Sequence, residues 1–156
     1  MSRGLGDVYK RQDNMISRYK NIMVAVDGSD QSEGAFFEAI GAARRNEAKL
    51  YVVQVIDDSS ILMSSAQPME DILAEESQRA KQYLEKLKER GRYQNMELIQ
   101  YIGNPKKALT EELPKQYGID LIYVGATGKG RFQRLLVGST SGYIVNHAPC
   151  NVMVVR

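Results

Sequence analysis

The sequence has a single cysteine and a single histidine, and no apolar run in it approaches the roughly 20 residues that a membrane-spanning helix requires. Cys150 alone cannot form an internal disulfide. His147 alone makes no metal site, and without a nearby serine or cysteine nucleophile pattern it makes no catalytic triad. The chain also shows no signal peptide with an apolar core. These absences predict a cytoplasmic protein with no membrane association.

Charge is nearly balanced, which argues against nucleic acid as a partner. Residues 1–18 hold four of the 21 basic and two of the 19 acidic residues, so residues 19–156 carry 17 of each. A general nucleic-acid binder needs a basic face for its phosphate contacts. The balance is nevertheless uneven, because no acidic residue follows Asp120. We therefore expect an anionic ligand near the basic residues of the last quarter, which are Lys129, Arg131, Arg134 and Arg156.

Short apolar runs alternate with longer amphipathic stretches. The runs predict strands at residues 21–26, 50–56, 96–102, 119–124 and 151–155. The stretches between them predict helices that begin near residues 30, 68, 104 and 139. Strict alternation requires right-handed crossovers, so we predict an α/β fold with one doubly wound, five-stranded parallel sheet, strand order 3-2-1-4-5 and helices on both faces.

Residues 1–18 lack this alternation. They contain basic residues and glycines but almost no periodic apolar pattern, so we predict an extension outside the fold. Residues 19–156 are then predicted to form one domain.

Local signals mark the first helix and the segment after the second strand. Ser29 or Asp30 is predicted to cap the helix, with Glu33 reciprocating in a capping box. Residues 57–67 are polar and serine-rich, and we predict a loop of about 11 residues, a length at which loops are usually functional or mobile.

Two further signals concern the later helices. Gly91 is predicted to end the second helix, and Pro114 is predicted to kink or break the third. Residues 96–102 alternate more strictly than the other strands, which favours a position at the edge of the sheet.

The turn after the fourth strand has the composition of a phosphate-binding site. Gly125 and Gly128 let backbone N–H groups approach a ligand, and Gly138-Ser139-Thr140 places amides and hydroxyls at the start of a helix. The spacing does not fit a P-loop, because Gly130 follows Lys129 where that motif has serine or threonine. A doubly wound sheet binds its ligand at the carboxyl ends of the strands where the winding reverses, so we expect the site there.

The spacing Gly, two residues, Gly, nine residues, Gly-Ser is met at Gly125, Gly128, Gly138 and Ser139. The sequence resembles the ATP-binding branch of the universal stress protein family over about residues 20–156. The resemblance is carried by this spacing together with Val24-Ala25-Val26-Asp27-Gly28-Ser29, Val55-Ile56-Asp57 and the segment 148–155. The resemblance implies the adenine nucleotide α-hydrolase-like fold, and ATP as ligand with Mg²⁺ carried by the phosphates.

Carried over residue by residue, the resemblance implies that Ala25, Val26 and Asp27 border the nucleoside and that backbone groups of Val55 read the adenine edge. It also implies a phosphate site formed by Gly125, Thr127, Gly128, Lys129, Gly130, Arg131, Gly138, Ser139, Thr140 and Ser141. No catalytic residue and no metal-ligand cluster can be assigned.

We therefore expect an ATP-binding regulatory module of the stress response with little or no efficient catalysis. The alternative within the same fold class is a weak ATPase or a nucleotide-transferring enzyme, and Asp27-Gly28-Ser29-Asp30 lacks the signatures of such enzymes near the first strand. A flavodoxin-like electron carrier would need its hydroxyl-rich loop after the first strand.

Finally, residues 151–155 form an uncharged strand at a predicted sheet edge, which predicts a homodimer through that strand, as the resemblance also implies.

Overall fold

The structure is a computed structural model that describes residues 18–62, 66–126 and 138–156. The strands are β1 (Asn21–Ala25), β2 (Lys49–Ile56), β3 (Met96–Ile102), β4 (Leu121–Gly125) and β5 (Asn151–Val155). The helices are α1 (Asp30–Asn46), α2 (Asp58–Leu62), α3 (Met69–Gly91), α4 (Pro105–Lys107), α5 (Leu113–Tyr117) and α6 (Ser139–His147), and a π-helical turn spans Ala108–Glu112. Within the described ranges, no helix is both long and apolar enough to cross a membrane.

All pairings in the sheet are parallel, and the strand order is β3-β2-β1-β4-β5. The predicted fold class and strand order are therefore confirmed, with β3 and β5 at the two edges. Residues 1–17 lie outside the described residues, so the predicted extension stays a prediction. Arg18 is described, and its guanidinium pairs with the Glu47 carboxylate at 3.2 Å.

Apolar side chains cover both faces of the sheet because the strands alternate their side chains between two helical layers. One face packs against α1 and α3 through a cluster that includes Val24, Val52, Phe36 and Leu84. The other face packs against α6 and the helical segment 105–117 through a cluster that includes Met23, Val53, Leu109, Leu113 and Ile144.

Ser29 caps α1, as predicted, because its hydroxyl accepts a hydrogen bond from the Ser32 N–H at 3.2 Å. The predicted capping box is wrong. The Ser29 N–H donates to the Asp27 carboxylate, and Glu33 accepts from the Tyr83 hydroxyl and from the Arg90 guanidinium, both at 2.9 Å. Glu33 thus joins α1 to α3.

The second long helix ends at Gly91, as predicted, and the structure shows a further role for this glycine. It is the last residue of α3, and the left-handed residue that follows the helix is Arg92 (φ 54°). A Cβ on Gly91 would lie 2.5 Å from Ile40 Cδ1 and 2.9 Å from Phe36 Cζ. The glycine therefore permits close packing of α3 on α1.

The predicted disruption at Pro114 is confirmed. Proline has no N–H to donate within a helix, and the turn before it is π-helical, with the Leu113 N–H bonded to the Ala108 carbonyl five residues back. The predicted loop over residues 57–67 is wrong in part, because α2 occupies residues 58–62. Asp57 supports its start by accepting from the Ser59 N–H at 3.1 Å and from its hydroxyl at 2.6 Å.

Candidate functional site

The winding of the sheet reverses between β1 and β4. From β1 the chain moves to β2 on one side, and from β4 it moves to β5 on the other. The two connections leave a crevice at the carboxyl ends of β1 and β4, the usual ligand position in such sheets. Residues 25–27 and 125–126 border this crevice, and α1 and α6 both begin close by.

Asp27 lies two residues beyond the end of β1 and is exposed. Its Oδ1 atom accepts the Ser29 N–H at 2.9 Å and the Ser29 hydroxyl at 2.5 Å, while its own N–H donates to the Ser32 hydroxyl at 3.2 Å. Gly28 takes a left-handed conformation (φ 86°) that lets the chain turn from β1 into α1. Asp27 therefore supports this turn and also stands at the mouth of the crevice.

The starts of α1 and α6 differ in their suitability for an anion. Helix α1 is capped by Ser29 and carries Asp30 and Glu33 in its first turn, so its positive end is already compensated. Helix α6 begins after Gly138 with no acidic residue in its first turn and no side-chain cap from any described residue. The first amides of a helix have no partner inside the helix, so an anion is favoured at α6.

Gly125 ends β4, and protein packing alone requires a glycine there. A Cβ at this position would lie 2.9 Å from Gln31 C and from Ser32 N, both backbone atoms of α1. The sequence interpretation gave Gly125 the role of opening space for a ligand. In the structure its missing side chain is what lets β4 approach α1.

Ala126 and Gly138, which flank residues 127–137, are held together. The Gly138 N–H donates to the Ala126 carbonyl at 2.6 Å, and the Ser141 hydroxyl donates to the same carbonyl at 2.8 Å. Ser141 is 4% exposed, so its hydroxyl is turned inward and bonded to protein. Ser139 is exposed and Thr140 is half-buried. The hydroxyl of Ser141 is therefore bonded within the protein, and the predicted place of Ser141 in the phosphate site stays a prediction, as do those of Ser139 and Thr140.

The backbone of Val55 is directed towards the β1 side of β2. Alternate residues of a parallel strand bond to opposite neighbours. The Ile56 carbonyl accepts from the Gly103 N–H at 3.0 Å on the β3 side, whereas the Val53 carbonyl accepts from the Val26 N–H at 2.8 Å on the β1 side. Val55 shares the direction of Val53, but the register of β1 with β2 ends at Ala25 opposite Val53. The N–H and C=O groups of Val55 thus point towards the β1 side of the sheet, beyond the last residue of β1.

Five predicted site residues lie outside the described residues: Thr127, Gly128, Lys129, Gly130 and Arg131. The structure brings the remaining ones to the carboxyl edge of the sheet. Among the described residues there is no group of three or more His, Cys, Asp or Glu side chains that could hold a metal ion.

Sequence reasoning missed Tyr83, which lies on α3 beside the start of α1. Burial raises the pKa of the Tyr83 phenol. The phenol also donates a hydrogen bond to the Glu33 carboxylate, and this negatively charged acceptor raises the pKa further. The phenol is therefore a fixed donor. Only its place on the apolar stripe of the helix was visible in the sequence, because its partner is 50 residues away.

Cys150 precedes β5 and is half-buried. Burial raises the pKa of its thiol to about 11, and the Asp120 carboxylate adds to the shift. The thiol is therefore protonated at neutral pH and packs as a small apolar group.

Comparisons with known proteins identify the family. The model of the universal stress protein family matches residues 18–156. A putative universal stress protein of Staphylococcus epidermidis is 42% identical over 145 residues, covering 91% of this chain and 86% of its own length. The universal stress protein UspA of Lactobacillus plantarum is 37% identical in a structural match that covers 89% of this chain and 99% of its own, with a TM-score of 0.78.

Two more distant structures were solved with nucleotides. A universal stress protein in complex with cAMP is 24% identical, covers 88% of this chain and 97% of its own and has a TM-score of 0.69. One from Archaeoglobus fulgidus in complex with dAMP is 18% identical, covers 88% and 98% and has a TM-score of 0.61. At these identities the likeness concerns the fold. The match to the family model and the close relatives together show that this chain belongs to the universal stress protein family.

Proposed function

We propose that this chain binds ATP, with Mg²⁺ on the phosphates, in the crevice between β1 and β4. The observation that carries the proposal is the contrast between the two helix starts at this crevice. Acidic side chains and a serine cap occupy the start of α1, while the start of α6 offers amides and hydroxyls without a compensating acid. A ligand with an anionic end would therefore orient that end towards α6 and its other end towards β1 and β2.

The nucleoside would lie along the ends of β1 and β2. Val55 offers one backbone donor and one backbone acceptor in a position that β1 leaves open, a pair that suits the edge of a purine base. Ala25, Val26 and Asp27 would border the sugar and the base. The two complexes named above contain adenine nucleotides, which supports this ligand class for the fold.

The phosphates would lie at the start of α6, against Gly138, Ser139 and Thr140. We also assign Gly125, Thr127, Gly128, Lys129, Gly130 and Arg131 to this part of the site, as the sequence predicts. The proposal places Mg²⁺ on the phosphates of the bound ATP.

The proposed output is regulatory. In this proposal the protein is a cytoplasmic stress-response module whose nucleotide changes its conformation or its partner, with little or no efficient catalysis. The proposed assembly is a homodimer through β5, an edge strand on which Met153 is 48% exposed.

Two measurements test the proposal. Mass spectrometry of the nucleotide released on denaturing the purified protein identifies the ligand directly. Titration calorimetry with ATP and Mg²⁺ should give micromolar affinity or better, and a ligand at 100 times its Kd should raise stability by about 2.7 kcal/mol. No heat and no thermal shift at millimolar ATP would refute ATP binding. Turnover of bound ATP comparable to that of ordinary enzymes would refute the regulatory assignment.

A further inference from the structure

The buried hydroxyl of Ser141 joins two elements that meet at the crevice. Ser141 lies in the first turn of α6, and its hydroxyl donates to the Ala126 carbonyl at 2.8 Å, with the Gly138 carbonyl at 3.1 Å. A hydroxyl has one proton to donate, so these two acceptors share it. The contact with Ala126 crosses from α6 to the end of β4, 15 residues back in the chain.

Each of the two carbonyl acceptors already has another hydrogen-bond donor. The Ala126 carbonyl already accepts the Gly138 N–H at 2.6 Å, and the Gly138 carbonyl already accepts the Gly142 N–H at 2.8 Å. A serine in a helix often bonds back to its own preceding turn, which would account for the Gly138 contact alone. The Ala126 contact is an additional bond, and its effect is to fix where α6 begins relative to β4.

That position matters for an anion. The field and the unpaired amides of a helix start act only within its first turn, so their benefit depends on where that turn is held. Ser139 and Thr140 follow the Gly138 cap directly and precede Ser141, so the serine that anchors the turn comes immediately after the two residues to which the proposed function assigns the phosphates.

We propose that Ser141 is a positioning residue for the phosphates: its hydroxyl anchors the first turn of α6 to Ala126 and thereby holds the amides of Ser139 and Thr140 where they bind the anion. The inference rests on the proposed function and deepens it. It assigns Ser141 no contact with the ligand through its hydroxyl. The affinity for phosphate-bearing ligands then depends on Ser141, whereas the affinity for the nucleoside does not.

The test measures affinities for ATP with Mg²⁺ and for adenosine in wild type and in Ser141→Ala, at a temperature where circular dichroism shows each protein folded. ATP should bind about tenfold more weakly to the variant, equal to about 1.4 kcal/mol. Adenosine affinity should stay within about twofold. Ser141→Cys keeps the volume of the side chain with a much weaker donor, and should reproduce the result if the alanine variant does not fold.

Thr110→Ala is the matched control. Thr110 is also 4% exposed, and its hydroxyl donates to the Lys106 carbonyl at 2.7 Å within its own helical segment. Its removal should lower the melting temperature and leave both affinities unchanged. If Ser141→Ala and Ser141→Cys leave the ratio of ATP to adenosine affinity as in wild type, the positioning role is overturned while the proposed function stands. If wild type binds neither ligand, both are overturned.

Discussion

Replacing Gly125 by alanine tests whether packing against α1 determines this position. The new Cβ would meet backbone atoms of Gln31 and Ser32 at 2.9 to 3.0 Å, and backbone, unlike the end of a flexible side chain, cannot turn aside. Overpacking of this kind destabilises by about 1–3 kcal/mol. The loss of chain entropy in the unfolded state offsets about 0.4–1 kcal/mol of it.

The expected net loss is about 2 kcal/mol of unfolding free energy, from the upper part of that overpacking range. For a chain of this length it corresponds to a fall of about 4–8 °C in melting temperature. With a urea m-value of about 2 kcal/mol/M, the unfolding midpoint should move down by about 1 M. Urea titration followed by circular dichroism measures both the midpoint and the slope.

Gly34→Ala is the control, because it makes the same chemical change in a helix interior with room for it. Its Cβ would lie 3.8 Å from Val155 Cγ1, an ordinary contact, and alanine is favoured over glycine in a helix by about 1 kcal/mol. This variant should be more stable than wild type. A Gly125→Ala protein as stable as wild type would refute the packing argument, and selective loss of ATP binding in that stable protein would show that the ligand, not packing, requires glycine at this position.

Three other predictions follow from edge, pH and thiol chemistry. On β5, the Val155 carbonyl accepts a hydrogen bond from the Ala126 N–H, so the N–H of the adjacent residue Val154 points away from β4, towards the open edge of the sheet. Val154→Pro removes that N–H and should turn the proposed homodimer into a folded monomer, as measured by sedimentation. A dimer that persists in this variant would show that the interface lies elsewhere. The raised pKa of Tyr83 in the fold means that its stabilising contribution is complete below the unfolded value of about 10 and is lost as pH rises towards the folded value. Wild type should therefore lose stability between pH 10 and 11 more steeply than Tyr83→Phe in urea titrations, and equal slopes would contradict the shift. With a thiol pKa of about 11, Cys150 should react with a disulfide reagent at pH 8 roughly 100-fold more slowly in the folded protein than in urea, so equal rates would refute its protection.

The strands and the starts of the main helices could be predicted because their signals are local. A continuous apolar run, a capping serine at position 29 and a proline at position 114 each act within one or two turns of chain, and the structure has them in these roles. Strict alternation then restricts the topology, since parallel strands need crossovers of one hand.

Apart from α2, whose start is supported locally by Asp57, the missed features depend on partners far away in the chain. Glu33 is bonded to residues 50 and 57 positions away, and Gly125 is restricted by the backbone of α1. In the same way, the sequence does not show that the Ser141 hydroxyl has a partner within the protein, because that partner, the Ala126 carbonyl, comes close only when α6 packs beside the end of β4. The edge of the sheet that the described candidate residues share was thus predictable, because the switch point follows from topology. Which of these residues are bonded to other parts of the protein was not.

Ala126 links the β5 edge of the sheet to the start of α6 through hydrogen bonds of its own backbone. Its N–H is bonded to Val155 at the end of β5, at 2.8 Å, and its carbonyl is bonded to the start of α6. These two groups belong to neighbouring rigid peptide units that share one α-carbon, so their relative direction is set by the φ and ψ angles of a single buried residue. Any torsion there redirects one bond with respect to the other. Along the hydrogen-bonded path from β5 through Ala126 to the first turn of α6, these two angles are the backbone torsions that set the relative direction of the two bonds.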